Sequence, residues 1–248
     1  LIKSLILKYI LIYFLLYAVT VNAQTASADF GIIPAPVKVM IKKGHFIIDS
    51  KTRIIYPDGP SKKTATMLKE YLQKSYGLKL PLFTEDADKP AGTIVFAHDD
   101  KLGKEAYRLK VGPALVEISG DEGGLFYGLQ TLMQLLKSEG PKLHVPCLET
   151  NDKPRYAYRG IMQDVGYHIY PVSFIKSQIE MLARYKMNVY HWHLTEDHGW
   201  RIEIKKYPKL TSVGAYRAST QISHYADSLG SQDHLPYGGF YTQDEIRE

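Results

Sequence analysis

Apolar positions along this chain recur with two periods, and the periods sort it into strands and helices. Near the C-terminal end, Val189, His191 and His193 alternate with Tyr190, Trp192 and Leu194. A strand puts alternate residues on opposite faces, so one face carries two histidines and the other is apolar. Upstream, short β-rich runs lie at residues 37–41, 46–48 and 53–56. Ala65, Leu68, Leu72 and Tyr76 then recur at helical spacing, and Gly77 supplies a stop. Residues 93–97 read as a buried strand, and 107–111 with 115–119 as a hairpin around Gly112-Pro113. A second helix is predicted over 123–137, with Phe126, Leu129, Met133 and Leu136 on one face. Strands and helices interleaved in this way predict a small α+β domain over residues 24–150.

Asn151-Asp152-Lys153-Pro154 reads as a polar, proline-bearing linker and marks the predicted boundary. The second region runs over 155–248. It opens with a strand at 160–165. Pro171 then starts a helix to about Lys186, with Phe174 or Ile175, Ile179 and Leu182 facing inward. The strand at 188–194 follows, then a long loop. Thr242 with Glu245 three residues on has the form of a capping box at a further helix start. This βαβα rhythm belongs to a parallel sheet or a barrel, so the chain as a whole is expected to be α/β.

The first 23 residues stand apart from this pattern. Lys3 and Lys8 precede or flank an apolar run of 11 residues from Tyr9 to Val19, and Val21-Asn22-Ala23 offers small residues before Gln24. That is the layout of a secretory signal peptide, and the run is shorter than the ~20 residues of a membrane span. The expected address is therefore secreted or periplasmic, with no membrane span after cleavage. Loss of 1–23 takes away two lysines and no acid, and the formal charge falls from +5 to +3. So weak a balance, without a basic run, argues against a nucleic-acid partner. Cys147 is the only cysteine, which excludes an intramolecular disulfide and a cysteine metal cluster. The 19 tyrosines suit sugar stacking and an ordinary core equally well.

The chemistry-bearing residues concentrate after the 188–194 strand. Thr195, Glu196, Asp197, His198 and Trp200 crowd its C-terminal end, where barrels and open α/β sheets place their sites. Two readings of the residues stay open at this point. His191-x-His193, with His198 near, could serve a metal-dependent hydrolase, since zinc barrels put two imidazoles on one strand face. The same acids and aromatic residues could equally serve a sugar. The adjacent acids Asp244-Glu245 fall in the first turn of a predicted helix and read as capping and dipole complementarity.

Arg159-Gly160 with Asp164-Val165, the helix ending Lys186-Met187-Asn188, HWHLTEDHGWRIEIKKYPKL, Val213-Gly214 and GGFYTQDEIRE resemble, in order and spacing, family 20 glycoside hydrolases, the β-N-acetylhexosaminidases. The upstream GDEGGLFYGLQTLMQLL is similar to that family's non-catalytic α+β domain. The resemblance implies a small α+β domain followed by a (β/α)8 TIM barrel. A barrel takes ~250 residues, and the 94 from Arg155 to Glu248 suffice for two βα units of an incomplete one.

It also implies retaining, substrate-assisted hydrolysis of terminal N-acetylglucosamine or N-acetylgalactosamine from glycans, with no cofactor and no metal. The sugar's acetamido group attacks, one aspartate orients that group, and the adjacent glutamate is the acid and base. That acid pair falls in a motif this sequence does not contain and is expected beyond Glu248, so no catalytic residue is assigned here. Glu196 takes the place of an acid, commonly aspartate, that supports a histidine beside the catalytic glutamate. Tyr167 stands where the family has an arginine that clamps sugar hydroxyls. Asp197 and Asp164 complete the expected substrate-side residues, while Trp200, Arg201 and Tyr207 are expected to anchor the loop. Tyr167 and the missing acid pair leave one alternative, a non-enzymatic carbohydrate-binding or decayed remnant.

Overall fold

The computed structural model describes residues 30–84, 90–140, 142–222 and 231–248. The expected leader, 1–23, lies outside the described residues. No helix among those described is long and apolar enough to cross a membrane.

The first half is a mixed sheet covered by two helices. Its strands are β1 (Lys38–Ile48), β2 (Arg53–Ile55), β3 (Leu82–Phe83), β4 (Thr93–His98), β5 (Tyr107–Val111), β6 (Leu115–Gly120), β7 (Lys137–Glu139) and β8 (Lys142–Asp152). They run in the order β1-β8-β5-β6-β4-β2-β3, with β7 also on β8. Pairs β1–β8, β8–β5 and β5–β6 are antiparallel, whereas β6–β4, β4–β2 and β2–β3 are parallel. Helices α1 (Gly59–Tyr76) and α2 (Glu122–Leu135) close the core. Leu68 and Leu72 of α1 and Leu125, Leu129 and Leu132 of α2 bury against Ile54, Ile94, Phe96, Leu109 and Ile118.

The ends of α1 follow from local chemistry. Asp58 Oδ1 accepts from the Ser61 amide at 2.8 Å, and Gly77 at φ 71° lets its amide reach back to the Gln73 carbonyl. Both satisfy backbone groups that a helix end leaves unpaired.

Four expectations change. The runs at 37–41 and 46–48 are one strand, β1, bent by a register shift between Ile41 and His45. Residues 142–150 form most of β8, which the sequence reading passed over. Asn151 and Asp152 are not linker but the last residues of that strand, paired with β1 at Lys38 and with β5 at Arg108 and Tyr107. On α2 the fully buried face is Leu125, Leu132 and Leu135 together with Leu129, while Phe126, Met133 and Leu136 are only partly covered.

The second half holds a two-stranded parallel sheet, β9 (Gly160–Asp164) and β10 (Val189–His193), joined by α3 (Val172–Arg184). Short elements α4 (Lys209–Ser212), β11 (Tyr216–Arg217), β12 (Tyr237–Gly238) and α5 (Gln243–Arg247) follow. The expected capping box is present on α5, with Thr242 and Glu245 satisfying each other's amides. Ile175 and Leu182 of α3 are buried as expected, but Ile179 is 47% exposed. Tyr190, Trp192 and Leu194 pack on Val165, Ile175 and Tyr241, so this is the helix-facing side of β10.

The halves meet through buried charge. Lys186 Nζ donates to Asp152 Oδ2 at 3.0 Å and to the Tyr107 hydroxyl at 2.8 Å. Burial pushes the Lys186 amine down from its ordinary value, and the Asp152 carboxylate opposes that shift.

Candidate functional site

The C-terminal ends of β9 and β10 lie side by side, because the register pairs Asp164 with His193. His193 and His191 share the face opposite the apolar one, as the alternation requires. The chain leaves β10 in a tight polar loop that turns Glu196 back towards the strand. Glu196 Oε2 lies 3.1 Å from His193 Nε2, and its Oε1 accepts from the Asp197 amide at 3.0 Å. Both carboxylate oxygens are therefore held. Gly166 makes this possible: a Cβ there would sit 2.4 Å from Glu196 Cβ, closer than any side chain permits. Asp164 Oδ1 accepts from the Gly166 amide at 2.7 Å and fixes that turn from the other side.

Among the described residues, two sets of three potential ligands converge to within 4.8 Å: Asp164, His193 and Glu196, and Glu196, Asp197 and His198. His191 belongs to neither; its ring is 6.3 Å from that of His193. The histidine pair singled out by the sequence is thus split, and His193 is grouped with carboxylates instead. His198 Nδ1 lies 2.7 Å from Asp197 Oδ1. Contact with Glu196, and then with His198, holds the exposed Asp197 carboxyl below the usual carboxylate range.

Tyr167 forms the neighbouring wall. Its hydroxyl donates to the Gln221 carbonyl, so the oxygen is engaged and the ring is what it presents. The ring meets His198 at 5.4 Å, tilted 51°, and His168 edge-on at 5.4 Å. Arg217 lies 5.2 Å over the Tyr167 ring. Its guanidinium donates to the carbonyls of Tyr167 at 2.7 Å and His198 at 2.9 Å and to the Thr220 hydroxyl at 2.9 Å. It therefore ties the β9 loop to the β10 loop. The sequence reading missed Arg217, since it lies on a two-residue strand with no periodic signal.

Beneath the wall, Arg201 is completely buried. Its guanidinium donates to four carbonyls: Val165 at 3.1 Å, Gly166 at 2.7 Å, Ala215 at 2.8 Å and Gly239 at 2.7 Å. The planar fork suits this task because its five N–H groups diverge in one plane. Gly199 leaves room for it, as a Cβ there would lie 2.2 Å from Arg201 Nη2. Burial, and then the charge of Arg217, push the Arg201 pKa down, without neutralising so strong a base. The expected loop-anchoring role of Arg201 and Trp200 has a geometry here. Trp200 Nε1 donates to the Ile202 carbonyl at 2.7 Å, whereas Tyr207 is 56% exposed.

The arrangement presents a fixed carboxylate between imidazoles and, beside it, an aromatic wall. Such a carboxylate can orient a base or an imidazolium. Asp244 and Glu245 take no part: Glu245 caps α5, and Asp244 pairs with Arg247 at 2.6 Å.

Comparison with known proteins gives a consistent set. The profile described as "Glycosyl hydrolase family 20, catalytic domain" matches residues 156–248, and "Glycosyl hydrolase family 20, domain 2" matches 29–153. A beta-hexosaminidase of Porphyromonas gingivalis is 38% identical over 240 residues, which cover 92% of this chain and 29% of that protein. A beta-hexosaminidase of Vibrio furnissii is 35% identical over 225 residues, 90% of this chain and 35% of that one. Among solved structures, a GH20 exo beta-N-acetylglucosaminidase from Vibrio harveyi, in complex with N-acetylglucosamine, superposes with a TM-score of 0.74 at 36% identity. That likeness covers 87% of this chain and 33% of the other. The chain thus spans about a third of the length of these relatives.

Proposed function

The chain belongs to glycosyl hydrolase family 20, and we propose that it is the amino-terminal part of an exo-acting β-N-acetylhexosaminidase. In this reading β9, α3, β10 and the elements after it are the first two βα units of a (β/α)8 barrel, and the leader directs the protein to the periplasm or outside the cell. The substrate is a glycan ending in N-acetylglucosamine or N-acetylgalactosamine. The relatives' names and the N-acetylglucosamine bound by the Vibrio harveyi enzyme support the substrate class.

The observation that carries the proposal is Glu196, gripped by His193 and the Asp197 amide at the end of β10. A carboxylate so fixed orients a histidine partner. It supplies no acid–base pair of its own. The groups that protonate the leaving oxygen and orient the acetamido group come from the remainder of the barrel. Tyr167, Asp197 and Asp164 face the sugar. The Tyr167 ring offers stacking, and its engaged hydroxyl gives no second donor for a neighbouring hydroxyl pair.

Two measurements test this. The 248-residue chain should show no turnover of an aryl N-acetyl-β-glucosaminide, and turnover by it would remove the proposal that the acid pair lies elsewhere. The longer parent protein should release N-acetylhexosamine but not glucose from matched aryl glycosides; failure to do so favours the non-enzymatic binding reading, for which Tyr167 is the supporting residue. In that parent, Tyr167→Arg should lower KM, and an unchanged KM would show that position 167 does not face the terminal sugar.

A further inference from the structure

Side chains of the first half, among them Tyr107, Tyr127 and Asp152, meet the second half below its two strands, and one of them touches both strand starts. Glu105, in the loop before β5, extends to the N-terminal ends of both β9 and β10. Its Oε2 lies 2.9 Å from Arg159 Nη2, and its Oε1 accepts from Asn188 Nδ2 at 3.3 Å. Both partners of the ion pair are largely buried, with side-chain exposures of 15% and 16%.

Arg159 and Asn188 are also bound to each other. The Arg159 amide donates to Asn188 Oδ1 at 3.0 Å, and the Asn188 and Val189 amides donate to the Arg159 carbonyl at 2.8 and 3.1 Å. Arg159 Nε reaches the Lys186 carbonyl at 2.8 Å, and Nη2 the Tyr127 hydroxyl at 3.0 Å. These contacts sit immediately below the first rung of the ladder, Val189 opposite Gly160.

Glu105 is itself preset. Its amide donates to both oxygens of Asp121, the N-cap of α2, at 3.1 and 3.0 Å. Glu105 and Lys186 both hold left-handed backbone, at φ 58° and 60°, and neither is glycine. Two such outliers at one junction require surrounding structure that enforces them.

We propose that Glu105 is a positioning residue that sets the register of β10 on β9, and that this is how the non-catalytic half serves the site. The buried apolar face of β10 forbids a one-residue slip but does not by itself distinguish a slip of two. A slip of two residues keeps the faces but moves His193 by ~7 Å along β9. That displacement exceeds the 4.8 Å within which Asp164, His193 and Glu196 now converge. Glu105 excludes it by holding the two strand starts against one carboxylate fixed in the other half.

Glu105→Gln tests this, because the amide preserves shape and the bond from Asn188 while removing the charge opposite Arg159. Residue-resolved hydrogen exchange on the 248-residue chain should show amides of Val189–His193 exchanging about tenfold faster or more. Amides of β4 and β6 should be unchanged, and the His193 ring resonances should move. Glu105→Ala should enlarge the same pattern. Glu122→Gln, which breaks only an exposed ion pair to Lys63, should leave both strands as they are. Equal acceleration in both sheets, or unchanged exchange at β10 in Glu105→Gln, overturns the proposal. If Glu105→Ala fails to fold, Glu105→Gln alone decides.

Discussion

Replacing Arg201 by methionine removes the charge under the site wall while keeping most of the side chain's volume. Three carbonyls, those of Val165, Gly166 and Gly239, lose the donor that Arg201 supplies, while that of Ala215 keeps the Gly239 amide at 3.2 Å. A buried acceptor left without a partner costs ~1–3 kcal/mol, so three give a ceiling of ~3–9 kcal/mol. Relaxation and entry of water recover part of this, and the expected loss is about 3–5 kcal/mol. Since a domain's stability is ~5–15 kcal/mol, the second half should be close to unfolding.

The assay is urea denaturation followed by tryptophan fluorescence. Trp192 and Trp200 are the chain's only tryptophans and both lie in this half, so the signal is selective. The guanidinium stays charged across the accessible range, so the loss should be equal at pH 5 and pH 8. Arg201→Lys keeps the charge but lacks the planar fork, and should recover about half. A midpoint shift worth less than ~1 kcal/mol in Arg201→Met would refute the idea that these four bonds hold the wall together.

Three further outcomes can be checked directly. Burial pushes the Asp58 carboxyl up, but its Ser61 bonds and His98 outweigh this and hold it below its ordinary 3.8. Its contribution is thus complete above that value and lost as pH falls through the lower folded one. Asp58→Asn, still a good cap, should match the parent within ~0.5 kcal/mol at pH 7 and lose less stability on acidification, as followed by urea midpoints between pH 5 and 2. Gly166→Ala should cost ~1–3 kcal/mol through overpacking and drive Glu196 off His193; unmoved His193 ring resonances would count against that. Burial raises the pKa of the Cys147 thiol, so it should resist a thiol reagent in the native protein and react in urea, and rapid native labelling would contradict its burial.

Much of this was legible before any coordinates. Periodicity located α1, α3, β10 and the hairpin, while Gly77 marked the end of α1, Pro171 the start of α3 and the Thr242–Glu245 box the start of α5. Misreadings came where tertiary partners override local pattern. β8 reads as a string of mixed residues with Pro146 in it, because four consecutive residues, Val145 to Leu148, are buried and break the period of two. Asn151 and Asp152 look like linker, yet pairing with Lys38 and Tyr107 makes them strand. In the site, the alternation put His193 on the correct face. Only the fold of the following loop shows that its partners are Glu196 and Asp164 rather than His191. Arg217 and Glu105 have no local signature at all. Their roles arise from groups 50 residues away, Arg217 on Tyr167, and 83 residues away, Glu105 on Asn188.

The place of β8 between β1 and β5 constrains the order in which a ribosome can deliver this protein's structure. Strand β1 is made first, but among the described residues its only neighbour in the sheet is β8, with Thr150 closing on Lys38 across 112 residues. Until that strand leaves the exit tunnel, β1 is an unattached ribbon and the remaining sheet lacks one side. Completion of the first half is therefore a late, long-range event, of the kind that folds slowly. It is timed to the moment just before β9 emerges. Nascent chains arrested short of residue 142 should be held by chaperones or proteases, and those released past 152 should escape them.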